Sequence, residues 1–145
     1  MTRSEARRHA FALIYQFPFY PEQTVETLAQ AKKWYYDDLD QDPEQSRPKG
    51  KHAEYIDRVV WGVFDRLKEL DGVIENFLRE WDINRLNKID LAVMRLAIYE
   101  MLCEKDVTFG IAVNEAVEIA KEFGSDDSPG FVNGVLGNIS RSIGK

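Results

Sequence analysis

Apolar residues recur along most of this chain at the three- and four-residue spacing of α-helices, and no segment shows the strict alternation of a strand. The first such segment runs from about Ser4 to Phe17, with Ser4 as the predicted N-cap and Pro18 as the residue that ends the helix. Its apolar arc predicts a core-facing side formed by Ala6, Ala10, Leu13, Ile14 and Phe17.

The same spacing predicts six further helices, over about residues 24–36, 54–70, 71–80, 87–104, 109–123 and 128–143. The fifth of the seven helices is apolar on nearly every side, so we place it at the centre of the protein. The pattern as a whole predicts an all-α protein, a compact bundle of about seven helices. In the second helix we expect an inward-facing side made of Val25, Leu28, Ala31 and Tyr35.

Residues 37–52 interrupt this pattern with a polar segment that holds one aliphatic residue, Leu39. Because such a segment can bury almost nothing, we predict a long polar loop that is the most mobile internal part of the chain. The segment separates the first two helices from the rest, which makes it a candidate boundary between helical subdomains.

The amino-acid composition excludes several classes of function for this chain. The length of 145 residues fits one domain, and an apolar share of 44% is ordinary for a globular protein. With 19 Lys and Arg against 25 Asp and Glu, the net charge of −6 excludes a globally basic surface but leaves room for a local basic patch. The single cysteine, Cys103, suits a reducing cytoplasm. No apolar run approaches the roughly 18 residues of a transmembrane helix, so we expect no membrane contact.

Catalytic and metal chemistry has no positive support in the sequence. The acidic residues of segment 38–42 open like a calcium loop, but Pro43 and Lys49 stand where an EF-hand needs glycine and glutamate. Cys103 falls in the apolar fifth helix, where a buried and inert thiol is expected. We therefore predict no catalytic residue, no metal ligand set and no cofactor.

The first helix carries the clearest chemical signal. Arg3, Arg7 and Arg8 cluster beside Phe11 and Tyr15, off the centre of the core arc, in a chain that is acidic elsewhere. Arginine forks bind phosphate oxygens bidentately, and aromatic rings stack on bases, so this face is a candidate RNA contact. The alternative is a solvated helix face whose aromatic residues pack on another helix.

A second candidate lies at the start of the last helix. Asp127 or Ser128 caps that helix, Pro129 suits its first turn, and Phe131 falls at the edge of its buried stripe. The free backbone N–H groups of a helix N-terminus attract phosphate, and an exposed ring beside them can stack on a base. The alternative is that Phe131 covers the edge of the core.

Asp90 is a carboxylate within the apolar fifth helix, with Arg95 further along. A buried charge needs a partner. Asp90 therefore either pairs with an internal base or emerges at an interface with another molecule.

Three sequence blocks resemble the NusB family of transcription antitermination factors. They are residues 85–100 (RLNKIDLAVMRLAIYE), 112–124 (AVNEAVEIAKEFG) and 127–136 (DSPGFVNGVL), and the arginine-rich start fits the family as well. The resemblance covers most of residues 3–143 and is weakest over residues 18–80, where the family also varies.

The resemblance implies a helical bundle in two subdomains, which we expect at about residues 1–70 and 71–145 of a single RNA-binding domain. It also implies a non-enzymatic role. Family members pair with NusE, a protein of the small ribosomal subunit, and bind the boxA element of nascent RNA. The pair joins RNA polymerase and other Nus factors in transcription elongation complexes, notably on ribosomal RNA operons.

The same resemblance assigns site residues. Asp127 and Phe131 match positions near the RNA, and Tyr15 and Asp90 match positions at or near the NusE contact. The RNA-binding N-terminal region is implied to contain Arg3, Arg7 and Arg8.

Three positions depart from the family pattern. Ser4 stands where a second arginine is common, Arg8 stands where a glutamate is common, and Gly130 replaces a basic residue. The basic patch is therefore kept but shifted, and one possible RNA contact beside Phe131 is absent.

Two other functions remain open at the level of sequence. One is a helical scaffold that binds only proteins. The other is a detached RNA-recognition domain of an RNA cytosine methyltransferase, because such enzymes carry a NusB-like segment. That enzyme needs a further catalytic domain, for which we expect no room in 145 residues.

Overall fold

The computed structural model describes residues 1–78 and 82–144, and all regular structure in that part of the chain is helical. This confirms the all-α prediction. The helix predicted over 71–80 begins earlier, at Leu67, and ends at Glu75, because residues 76–78 are not helical; residues 79 and 80 of that prediction lie outside the described residues. The helices are α1 (Arg3–Gln16), α2 (Val25–Asp40), α3 (Gly50–Asp65), α4 (Leu67–Glu75), α5 (Lys88–Cys103), α6 (Phe109–Phe123) and α7 (Ser128–Ile143), with 3₁₀ turns at Phe17–Phe19 and Ile83–Arg85.

The chain divides into two compact units, which we call unit 1 (Met1–Val60) and unit 2 (Trp61–Lys145). The division falls within α3. The boundary between helical subdomains that the sequence placed near residue 70 stays a prediction.

Helix α1 buries the arc that its periodicity predicts, since Ala6, Ala10, Leu13, Ile14 and Phe17 are all buried. Its N-cap is Thr2 and not Ser4, because the Thr2 hydroxyl accepts a hydrogen bond from the Glu5 N–H at 3.1 Å. The chain turns at Pro18 into a 3₁₀ turn, as expected for a residue that cannot continue the helix.

Helix α2 buries Leu28 and Ala31 as predicted, but Val25 is 55% exposed. Periodicity sets the direction of a side chain around the helix axis, and it does not say whether another element covers that end of the helix. Beside α1, the Tyr35 hydroxyl of α2 meets His9 Nδ1 at 2.5 Å. Burial lowers the pKa of His9, and the nearby Glu5 carboxylate partly opposes this shift.

The polar loop is shorter than the predicted span of 37–52. Helix α2 continues to Asp40 and α3 begins at Gly50. Aspartates on a solvated face do not end a helix, and Lys33 and Asp37 form an i,i+4 ion pair at 3.1 Å on the added turn. Within the loop, the Arg47 guanidinium donates to both Asp40 carboxylate oxygens, at 3.2 and 2.6 Å.

Helix α3 ends earlier than predicted. The sequence pattern continues to residue 70, but the helix ends at Asp65 because Arg66 leaves the helical conformation at φ −115° and ψ 19°. Helix α4 then begins at Leu67. The α3 side chains Ile56, Val59 and Val63 are buried.

Helix α5 forms the centre of unit 2, as its apolar pattern predicts. It packs against α4, α6 and α7. Where it meets α4, the Arg95 guanidinium donates two hydrogen bonds of 2.8 Å to the Asp71 carboxylate. Ala112, Ala116 and Ala120 of α6 are buried. The buried residues of α5 are Asp90, Leu91, Ala92, Val93, Met94, Leu96, Ala97, Ile98, Tyr99, Glu100 and Met101.

Candidate functional site

The arginines of α1 gather around one tyrosine of α3. The Arg3 guanidinium lies 4.1 Å from the centroid of the Tyr55 ring, and the guanidinium groups of Arg7 and Arg58 lie at 5.8 and 5.9 Å. Tyr55 is fully buried. The electron-rich ring face attracts cations, so it holds three like charges on one small area. We call this group the Tyr55 cluster.

The structure corrects one expectation about these arginines. Arg7 is only 3% exposed, so it is a core residue and does not lie off the core arc as predicted. Arg3 and Arg8 are half-buried and reach solvent. Arg8 Nη1 also donates to the Ser4 carbonyl oxygen at 3.1 Å, which fixes its direction along the helix. The surface that solvent reaches on this part of α1 is therefore basic mainly through Arg3 and Arg8.

Sequence reasoning missed Arg58. It is exposed on α3, one turn after Tyr55, and contributes a third guanidinium to the cluster. The only signal was the i,i+3 spacing of a tyrosine and an arginine, which places both on one helix face but does not reveal that α1 covers that face.

The two aromatic residues of α1 have different roles. Phe11 is 4% exposed, so for this residue the packing alternative is correct and its ring is closed to a base. Tyr15 is half-buried. Its ring is inclined by 30° to that of Phe11 at a centroid distance of 6.1 Å and makes an edge contact with Phe19 at 5.2 Å. Tyr15 thus presents part of its surface from a fixed position.

In unit 2, the two other candidate RNA-binding residues, Asp127 and Phe131, lie at the N-terminus of α7. Asp127 occupies the N-cap position without a side-chain cap bond, and it is exposed. Phe131 lies in the first turn and is half-exposed, so its ring is accessible in part. Ser128 is buried instead, and its hydroxyl accepts a hydrogen bond from the Ser125 N–H at 3.0 Å.

Asp90 lies beside that helix start. It is 6% exposed, and its Oδ1 has no hydrogen-bond partner among the described residues. Burial raises the pKa of Asp90, and the Ser128 side chain partly opposes that shift. Arg95, the internal base considered from the sequence, pairs with Asp71.

The candidates thus form two groups. Arg3, Arg7, Arg8 and Tyr15 share α1 in unit 1, whereas Asp90, Asp127 and Phe131 gather at the starts of two helices in unit 2. Within the described residues no cluster of three His, Cys, Asp or Glu side chains could hold a metal ion. None of the described helices is long and apolar enough to cross a membrane.

These features define a class of small all-helical protein with an arginine-rich first helix and a buried carboxylate behind its last helix. The model of the NusB family matches residues 4–141. Over 139 residues the chain is 40% identical to the transcription antitermination protein NusB of Acetivibrio thermocellus, covering 96% of this chain and 88% of that protein. It is 35% identical to NusB of Agathobacter rectalis, covering 97% of this chain and all of that protein. The chain belongs to the NusB family.

Solved structures agree with this assignment. The structure of T. maritima NusB superposes with a TM-score of 0.81 at 32% identity and covers 97% of this chain and 92% of that chain. A crystal structure of antitermination factors NusB and NusE with double-stranded RNA shares the fold, with a TM-score of 0.80 at 24% identity and coverage of 98% and 99%.

The raised pKa of Asp90 predicts a pH-dependent stability. Its folded-state pKa lies above the ordinary value of 3.8, so the stability that Asp90 contributes is present at low pH and is lost as pH rises through the folded-state pKa. We expect Asp90→Asn to raise the free energy of unfolding at about pH 7, by an amount that shrinks toward about pH 4. Urea denaturation of both proteins across this range measures the difference.

The control for this experiment is Asp106→Asn, which changes an exposed aspartate of the same unit. We expect it to leave the pH profile of unfolding unchanged. A stability difference between wild type and Asp90→Asn that stays constant over the whole range would contradict the assignment.

Proposed function

We propose that this protein is an antitermination factor that binds boxA-type RNA together with NusE and keeps RNA polymerase elongating, notably on ribosomal RNA operons. The observation that carries the proposal is the Tyr55 cluster, which concentrates guanidinium groups in a chain of net charge −6. Membership of the NusB family supports it, as does the likeness in fold to a NusB that was crystallised with NusE and RNA.

In this proposal α1 supplies the phosphate contacts. Arg3 and Arg8 reach solvent and bind phosphate oxygens, whereas the buried Arg7 supports them from within the Tyr55 cluster. At the start of α7, Phe131 stacks on a base and Asp127 accepts a hydrogen bond from a base amino group.

The partner contact is proposed at Tyr15 and Asp90. The Oδ1 atom of Asp90 is an acceptor without a hydrogen-bond partner in the described protein, so a donor from another molecule would satisfy it. A basic ribosomal protein such as NusE suits a carboxylate at this position, and it would also reduce the repulsion between an acidic chain and RNA.

We propose that the protein acts by binding alone, in the cytoplasm, where nascent RNA is made, and in complexes with RNA polymerase and other Nus factors. The alternative of a protein-binding scaffold differs in one measurable respect, because a scaffold shows no salt-dependent affinity for RNA.

The arginine contacts predict a specific change in salt dependence. Replacing Arg3 and Arg8 together by glutamine should weaken binding to boxA RNA, and each lost phosphate contact should remove about 0.7 from the log–log salt slope. Fluorescence anisotropy with labelled RNA at several salt concentrations measures the slope. Arg66→Gln, at an exposed arginine of unit 2, is the matched control. An unchanged slope in the double variant would support the scaffold alternative.

The variant Phe131→Ala distinguishes stacking of the ring on a base from packing of the ring against the core. If the ring stacks on a base, RNA affinity should fall by about 1–3 kcal/mol while the melting temperature changes little. A lower melting temperature with unchanged RNA affinity would show that Phe131 only covers the core. The control is Ile111→Ala, which truncates another apolar residue of unit 2 that is 46% exposed.

The partner proposal predicts thermodynamic coupling. NusE should tighten RNA binding, and RNA must then tighten NusE binding by the same factor, with an expected coupling of about 1–3 kcal/mol. Asp90→Lys should weaken the NusE complex through a like-charge contact, and Asp90→Asn should weaken it less. Calorimetric titrations with and without RNA measure both effects. Equal RNA affinity of the isolated protein and the mixture would refute the coupling.

A further inference from the structure

An open groove of about 570 Å³ lies on unit 1 between the segment that follows α1 and one face of α2. Along α2, Glu26, Gln30 and Trp34 recur at four-residue spacing, so they form a ridge on a single helix face. Tyr20, Pro21 and Glu22 form the opposite wall, and Thr27 completes the lining. We call this feature the Trp34 groove.

Large apolar side chains around the groove face solvent. Trp34 is 53% exposed, Val25 is 55% exposed, and Phe19 in the adjoining 3₁₀ turn is 60% exposed. Exposed aromatic residues contribute little to the stability of the fold, and of these three side chains Trp34 lines the groove itself. Tryptophan and tyrosine are also the residues that most often supply binding energy at protein interfaces.

The groove is held in shape before anything binds. The Gln23 side-chain amide donates to the carbonyl oxygens of Pro18 and Tyr20, at 3.1 and 3.3 Å, and so fixes the loop wall. The rings of Tyr20 and Trp34 lie 6.5 Å apart at an angle of 32°. Together the two rings give the groove an aromatic surface, and aromatic-lined grooves bind extended proline-containing peptides.

The charge at the groove selects a basic ligand. Glu22 and Glu26 are both exposed, and neither forms an ion pair among the described residues. The two lysines of α2 do not neutralise them, because Lys32 pairs with Asp57 and Lys33 pairs with Asp37.

We propose that the Trp34 groove is a docking site for an extended segment of a partner protein that carries arginine beside proline. The arginine lies against the Trp34 ring and near the carboxylates of Glu22 and Glu26, and the proline packs on the aromatic surface that Tyr20 and Trp34 form. RNA does not fit this site, since two carboxylates repel phosphate. None of the residues that line the groove is among those proposed above for RNA or for NusE, so the groove is a further interaction surface and does not depend on the proposed function.

The test uses the whole protein and the synthetic peptide acetyl-Pro-Arg-Pro-Arg-Pro-amide. Titration is followed by NMR at the indole N–H of Trp34, which the spectrum of the Trp34→Phe variant identifies. We expect a saturable shift of that signal and an affinity that falls with salt. Replacing both arginines of the peptide by citrulline, which keeps the shape and removes the charge, should weaken binding about tenfold.

Variants of the protein locate the site. Trp34→Ala, at an exposed position, should leave the melting temperature unchanged and weaken peptide binding about tenfold. Glu22→Gln with Glu26→Gln should abolish the advantage of arginine over citrulline, whereas Glu44→Gln, at an exposed loop position of unit 1, should not.

Three results would overturn the proposal. They are equal binding of the arginine and citrulline peptides, a peptide shift that spares the Trp34 indole, and a concentration-dependent dimer that Trp34→Ala dissolves. The last result would assign the groove to a second copy of this chain. Each result leaves the RNA-binding proposal intact, because RNA affinity is measured separately.

Discussion

The contact between arginine side chains and the buried ring of Tyr55 is the interaction on which the basic face of unit 1 depends. Guanidinium groups at 4.1, 5.8 and 5.9 Å from one ring centroid would repel each other without a negative electrostatic potential nearby. The electron-rich face of the ring supplies part of that potential, and the planar guanidinium groups lose little hydration when they lie against it. The positions of these charged groups therefore depend on a fully buried side chain, so the geometry of the basic face is coupled to the packing of the core.

In unit 2 the Ser128 hydroxyl has a structural role comparable to that of the Tyr55 ring in unit 1. It accepts a hydrogen bond from the Ser125 N–H at the start of α7, and it influences the pKa of the Asp90 carboxylate at the start of α5. Space for it depends on Gly124, where a Cβ atom would lie 2.5 Å from Ser128 Oγ. One small hydroxyl therefore fixes the start of α7, and Asp90 is a buried carboxylate whose Oδ1 has no hydrogen-bond partner among the described residues. Burial of such a group reduces stability, so its retention fits a binding role better than a structural one.

Periodicity was sufficient for much of the fold, because the core-facing arcs of a helix follow directly from the spacing of apolar residues. The sequence predicted the central position of α5 and the bounds of α6, where the apolar pattern is strong and Thr108 and Gly124 mark the ends. It failed where the outcome depends on contacts between distant segments. Whether Arg7 is buried depends on what covers α1, and the added turn of α2 forms ion pairs between Arg47 of the loop and the aspartates Asp37 and Asp40.

The candidate site shows the same limit. Single residues such as Arg3, Asp90 and Phe131 could be selected from their helix positions, but their surroundings could not. Arg58 lies far from α1 in sequence, and only the packing of α3 brings it to the Tyr55 ring. The Trp34 groove was missed for a related reason: a tryptophan within a helix is usually part of the core, and its 53% exposure is a property of the folded chain.

Charge is segregated within unit 1, and this arrangement has consequences for binding. The Tyr55 cluster is basic while the Trp34 groove is acidic, although the chain as a whole carries a charge of −6. The net charge opposes the long-range attraction through which basic proteins bind any nucleic acid, so in the proposed function RNA affinity comes from short-range contacts that only a matching RNA satisfies. Such contacts favour selectivity over affinity. In the same proposal a basic protein partner raises the affinity, because it neutralises acidic surface. An acidic chain with a small basic face is therefore suited to bind RNA as one half of a complex.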